Sequence, residues 1–138
     1  MRKRTIVYKN LNTGAYFVQP YAMGPVAATE FGEPTPIRPE EFESRIANAV
    51  TDNLEKFGME RYDKARAILR TDKQQLEFLG NHVGVSISER GLDELAVYAL
   101  HREGGGMVGS DIDTFIVPKK EVPRRLASVI YEAFKRAT

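Results

Sequence analysis

The stretch His82-Val83-Gly84-Val85-Ser86-Ile87-Ser88-Glu89-Arg90-Gly91-Leu92-Asp93-Glu94-Leu95-Ala96-Val97-Tyr98-Ala99-Leu100-His101 decides the fold class. Val83, Val85 and Ile87 alternate with Gly84, Ser86 and Ser88. Successive side chains of a strand point to opposite sides, so this spacing predicts a half-buried strand. Glu89-Arg90-Gly91 turns the chain. Glu94 to His101 is a second strand, with Leu95, Val97 and Ala99 opposed to Ala96, Tyr98 and Leu100. Apolar residues at both parities predict a central strand.

Downstream, Gly104-Gly105-Gly106 reads as a loop and Ile112 to Val117 as a third strand. A helix follows from about Val122 to Lys135. Pro123 fits its first turn, and Val122, Leu126, Val129, Ile130, Ala133 and Phe134 form its apolar stripe. Lys135 and Arg136 stand at the negative end of its dipole. Upstream, Pro39 to Phe57 is predicted as an amphipathic helix. Glu40, Glu41 and Glu43 suit its positive end, Phe42, Ile46, Ala49, Val50 and Leu54 form its stripe, and Gly58 stops it. A further helix is expected over roughly Glu60 to Leu69. A short one is expected from Asp72 to Leu79, presenting Leu76 and Leu79 (or Phe78) before Gly80.

At the start, Thr5-Ile6-Val7-Tyr8 and Ala15-Tyr16-Phe17-Val18 flank the turn residues Leu11-Asn12-Thr13-Gly14, the signature of a hairpin. Pro20 to Pro39 is dense in Gly and Pro and allows at most a short or edge strand, around Val26 to Phe31. The order is strands, helices, strands, helix. It predicts an α/β (α+β) fold over residues 1–138 as a single domain: a mostly antiparallel β-sheet with helices packed on it and a C-terminal amphipathic helix.

Composition narrows the chemistry. With 138 residues, 42% hydrophobic and 28% charged, the chain suits one core. It contains no cysteine, which excludes disulfides, thiolate nucleophiles and cysteine metal sites. Polar Lys9, Asn10 and Asn12 interrupt the start too early for a signal peptide. No segment approaches the roughly 18 apolar residues of a membrane span. A cytoplasmic protein with no membrane contact is expected. The net charge of +1 is unevenly spread: residues 1–29 carry +4, residues 30–60 carry −5, and the remainder carry +2. The acidic segment is either a solvated helix face or a patch aimed at a basic partner.

No catalytic constellation emerges. His82 and His101 stand at strand ends without a motif around them, and read as structural or exposed. Asp111 and Asp113 could share a cation with Glu103 or His101, but lack the oxygen-rich pattern of a calcium or magnesium loop. The three glycines join strands, where a phosphate loop would lead into a helix. Ser86, Ser88, Ser110 and Ser128 lack elbow glycines. Neither catalytic residues, nor a cofactor, nor a metal is expected. Arg2-Lys3-Arg4, Lys119-Lys120 and Arg124-Arg125 are basic, yet acids nearly balance bases overall, and direct nucleic-acid binding is not expected.

Several segments in order carry a family resemblance: Gln75-Leu76-Glu77-Phe78-Leu79, His82 to Ile87, Val97 to Arg102, Gly104 to Met107, Phe115-Ile116-Val117-Pro118 and Leu126 to Phe134. Together with the amphipathic helix after a Pro-rich approach, the chain resembles the bacterial contact-dependent growth inhibition (CDI) immunity proteins. The resemblance spans residues 5–136 in element order and is specific over about 75–136. It implies a non-catalytic protein that stays in the cytoplasm of the producing cell. There it would bind the C-terminal domain of a cognate toxin, commonly a nuclease, and block its active site or substrate surface. The family fixes no contact residue. A nuclease presents positive charge, so the expected contact is acidic: Glu30, Glu33, Glu40, Glu41 and Glu43, with Tyr21 and Phe31 as aromatic anchors. Two competing readings are a small enzyme using carboxylates or the two histidines, and a nucleic-acid-binding module.

Overall fold

The computed structural model describes residues 2–24, 27–57 and 67–138, without the side chains of 110–112. Its central ladder pairs β6 (His82–Arg90) with β7 (Glu94–Glu103), matching Val85 with Ala99, Ile87 with Val97 and Glu89 with Leu95. On the other side of β6 lies β1 (Arg4–Asn10), which places Val7 opposite Val85. The hairpin partner β2 (Tyr16–Gln19) continues outward to β5 (Thr35–Ile37), and β8 (Gly106–Pro118) closes the far edge. The order is β5-β2-β1-β6-β7-β8, with every pairing antiparallel. Pro36 is tolerated because β5 is an edge strand, where one row of N–H groups has no ladder to join.

Two helices cover one face. A 3-10 turn, Pro39–Glu41, leads into α1 (Phe42–Lys56), and a second, Lys119–Glu121, leads into α3 (Val122–Phe134). Their stripes meet the sheet as their spacing predicts. Ile46, Val50, Leu126 and Ile130 are fully buried against Val7, Val18, Val85, Ile87, Val97 and Val117. Each such side chain contributes about 1.5–3 kcal/mol of transfer free energy. These elements make the single-domain α+β fold.

The other face is covered too. A two-stranded ribbon, β3 (Tyr21–Met23) with β4 (Ala28–Glu30), and α2 (Asp72–Asn81) accompany a second cluster of Ile6, Tyr8, Tyr21, Phe57 and Leu100. This corrects the half-buried reading of β6. Ser86 is 0% and Ser88 8% exposed, so the polar side of this strand is buried as well. Gly84 is there for space: a Cβ would stand 3.1 Å from a Leu100 methyl and 3.3 Å from the Tyr8 ring.

Other expectations shift. β8 is 13 residues long and starts at Gly106, with a register break opposite Tyr98 to Leu100 that the sequence does not announce. The strand foreseen from Val26 to Phe31 is β4, with Val26 itself outside the described residues. Of the helix expected over 60–69, residues 60–66 also lie outside them. Residues 67–69 are not helical: Ala67 bridges Phe31, and the Ile68 amide donates to the Glu30 carbonyl. α2 begins at Asp72, directly after the N-cap Thr71, whose side chain and that of Gln74 in the first turn each accept from the other's backbone N–H. It buries Leu79 and leaves Leu76 64% exposed, since Phe78 takes the inward place. Among the described residues no helix is long and apolar enough to cross a membrane.

Candidate functional site

The first turn of α1 runs beside the middle of α3, and an aromatic file joins them to the sheet. Tyr16 and Phe42 have centroids 4.6 Å apart, Phe42 and Tyr131 6.5 Å, and Tyr16 and Phe134 5.4 Å. Tyr131 is 51% exposed at the mouth of a groove of about 460 Å³. Glu40, Glu43 and Glu132 line it, together with Phe42 and Ser128. The rim already holds a cation. Lys135 Nζ lies 3.0 Å from Glu132 Oε1 and 5.1 Å from the Tyr131 ring centroid. Three carboxylates around an exposed aromatic make a surface suited to basic side chains.

The residues expected to form one acidic contact are divided by the fold. Glu40 and Glu43 are exposed at this groove. Glu41, beside them, is clamped by Arg38 Nε at 3.0 Å and Arg45 Nη1 at 3.2 Å. Hydrogen bonds from Arg38 hold its carboxyl below the usual carboxylate range. Glu33 is exposed on the loop after β4, at a different hollow of about 540 Å³ that Lys56 also lines. Tyr21 and Phe31 reach that hollow only by an edge, being 8% and 3% exposed.

Glu30 is turned inward. Its Oε1 accepts from the Tyr8 hydroxyl at 2.7 Å and, more loosely, from Tyr21 at 3.4 Å, while Oε2 lies 2.9 Å from Arg70 Nη1. The Arg70 guanidinium in turn covers the Phe78 ring at 3.9 Å. Burial first, and the neighbouring carboxylate second in the case of Tyr21, push both phenols well above their usual range. This carboxylate fastens β4 to the segment ahead of α2. Nothing near Glu30 in sequence points to Arg70, forty positions on.

The histidines are kept apart. His82 Nδ1 lies 2.9 Å from the Phe78 carbonyl oxygen, with its ring stacked on Phe78 at 4.1 Å. It belongs to the side of the sheet that carries Tyr8. His101 follows Leu100, a member of the Tyr8 cluster, and so points to the opposite side. There its Nε2 meets Asp113 Oδ2 at 2.6 Å, and its Nδ1 meets Thr138 Oγ1 at 2.9 Å. The connectivity is that of a carboxylate–imidazole–hydroxyl chain. Thr138 is also held through its backbone, donating to the Leu100 carbonyl and accepting from the Arg102 amide. The arrangement fastens the residues after α3 onto β7.

Among the described residues no three His, Asp or Glu side chains gather as metal ligands. The Asp111 side chain lies outside the described set. The basic pairs are partly spent within the fold: Lys119 on Glu89 at 2.6 Å, and Arg125 on Glu121 at 3.2 Å. Tyr131 and Glu132, which line the groove, are not among the contact residues expected from the sequence. Tyr131 falls outside the α3 stripe, and that position is the sequence signal for its exposure.

No protein-family model matches the sequence, and no curated protein is significantly similar to it. Two solved structures are similar in fold. One is a protein of unknown function, NMB0488 from Neisseria meningitidis, with a TM-score of 0.74 and 12% identity over 100% of this chain and 96% of that one. The other is a chain of the CdiA-CT/CdiI toxin and immunity complex from Yersinia pseudotuberculosis. Its TM-score is 0.70 at 13% identity, covering 100% of this chain and 98% of that one. At such identities the likeness is one of fold.

Proposed function

We propose that this chain is an immunity protein of the contact-dependent growth inhibition type. It binds the C-terminal domain of a cognate toxin, a nuclease by preference, and neutralises it by covering its active site or substrate surface. The carrying observation is the full-length likeness in fold to a chain of a toxin and immunity complex. The protein acts by occlusion, without turnover or cofactor, in the cytoplasm of the cell it protects. The contact is built on the α1/α3 groove, where Glu40, Glu43 and Glu132 meet the positive surface that a nuclease needs and Tyr131 serves as the anchor. Glu33 extends the acidic contact from its own loop, while Glu30, Tyr21, Phe31 and Glu41 shape the surface from within. A stable interface of about 1,600 Å² in total is within reach of a domain this size.

The test is co-purification with the variable C-terminal domain encoded beside this chain's gene, followed by stopped-flow association. Glu40→Lys with Glu43→Lys is expected to slow association about tenfold or more at low salt while leaving folding intact. An unchanged rate would move the contact off the groove. Failure of the wild-type chain to bind or inhibit that domain would remove the immunity reading itself.

A further inference from the structure

The sheet face away from α1 and α3 carries a hollow of about 730 Å³ toward its β8 edge. Its position follows from the register. Arg4, Ser88 and Ala96 form one cross-strand row, Ser86, Tyr98 and Thr114 the next, and Arg90 continues along β6 on the same face as Ser88. Arg2, Ser88, Arg90, Tyr98 and Thr114 line the hollow, supplying two guanidiniums and three hydroxyls. No carboxylate lines it among the described residues. Glu94, in register with Arg90, is outside the lining. Gly109 makes room for the Tyr98 ring on the hollow's wall. A Cβ there would lie 2.6 Å from the Tyr98 ring and would force that ring to move.

Two guanidiniums and several hydroxyls in a lining without a carboxylate among the described residues make the hollow positively charged and rich in donors, which suits a ligand that accepts hydrogen bonds. Guanidinium groups present a planar fork suited to phosphate oxygens. The volume falls within the roughly 300–1,000 Å³ of small-molecule sites.

We propose that the hollow lined by Arg2, Ser88, Arg90 and Tyr98 binds the phosphate group of a small phosphorylated molecule. Arg2 and Arg90 hold the phosphate oxygens, and the Ser88 and Tyr98 hydroxyls complete the set. The site is separate from the acidic groove and does not depend on the immunity reading.

Titration calorimetry of the full chain with inorganic phosphate and with AMP, at fixed ionic strength, tests it. Amide chemical shifts of the labelled protein locate any binding. Saturable binding with Kd below about 1 mM is expected, with shifts confined to β6, β7 and β8. Arg2→Gln combined with Arg90→Gln is expected to weaken it about a hundredfold, roughly tenfold for each charge-assisted contact. Both side chains are exposed, so unchanged far-ultraviolet dichroism is expected to accompany the loss. Arg124→Gln with Arg125→Gln removes equal charge on α3 and is expected to change nothing. The proposal is overturned by absence of saturation, by equal loss in the α3 variant, by succinate binding as tightly as phosphate, or by binding of single-stranded RNA alone.

Discussion

Under α1 and α3 the sheet is filled by aliphatic side chains, with Val50, Val85, Leu126 and Ile130 all fully buried. On its reverse, Tyr8, Tyr21 and Arg70 converge on the single carboxylate of Glu30, and an arginine lies flat on Phe78. The first face is held by area, which is non-directional and spread over many residues. The second depends on a few directional bonds, each of which fails if one partner is lost. Periodicity announces the first kind of packing. The second rests on partners that meet only after the chain has folded.

The contrast can be tested by deletion. Leu126→Ala removes a fully buried side chain beneath α3 and is expected to cost about 3 kcal/mol, read as a lower denaturant midpoint. Repacking around the hole would reduce that figure, so a loss under about 1 kcal/mol would show this face to be more plastic than described. Across the sheet, Glu30→Gln is expected to cost about 2 kcal/mol, because its removal leaves Arg70 and two hydroxyls poorly partnered. Arg70→Met alone should cost a similar amount, and the double variant less than the sum, since both break one network. Strict additivity would mean that the pair is not coupled.

The smallest effect is with pH. Tyr8 and Tyr21 have folded-state pKa values raised above their unfolded values. Their contribution is therefore complete below the unfolded phenol pKa of about 10 and is lost as pH rises beyond it. Ultraviolet titration should show these two of the six tyrosines ionising only as the protein unfolds. Glu30→Gln removes the nearby negative charge and should bring Tyr21 down further than Tyr16, which lies on the helix-covered side.

What could be read from the sequence divides along the same line. The β6–β7 ladder, α1 and α3 were legible because Val85 and Ile87, Ile46 and Val50, and Leu126 and Ile130 repeat at the period of the element they build. Ser86 and Ser88 misled because alternation records which side of a strand is polar, not how deeply that side is buried. β3 and β5 hide among prolines and glycines, where each is only three residues long. Glu40 and Glu43 were legible as acids at a helix start. The groove around them needed Tyr131 and Glu132 from a helix some ninety residues away. Glu30 carried the same charge and was sent inside by Arg70.

The sheet order has a temporal meaning. The two antiparallel halves, β5-β2-β1 and β6-β7-β8, meet in one ladder between β1 and β6, whose residues are more than seventy positions apart. During synthesis the early half emerges with the apolar stripe of α1 and no counterpart for it. Leu126 and Ile130 leave the ribosome long after Ile46 and Val50. A nascent chain of this kind must keep an oily helix and a strand edge out of trouble until its second half arrives, and it then closes in a single late event.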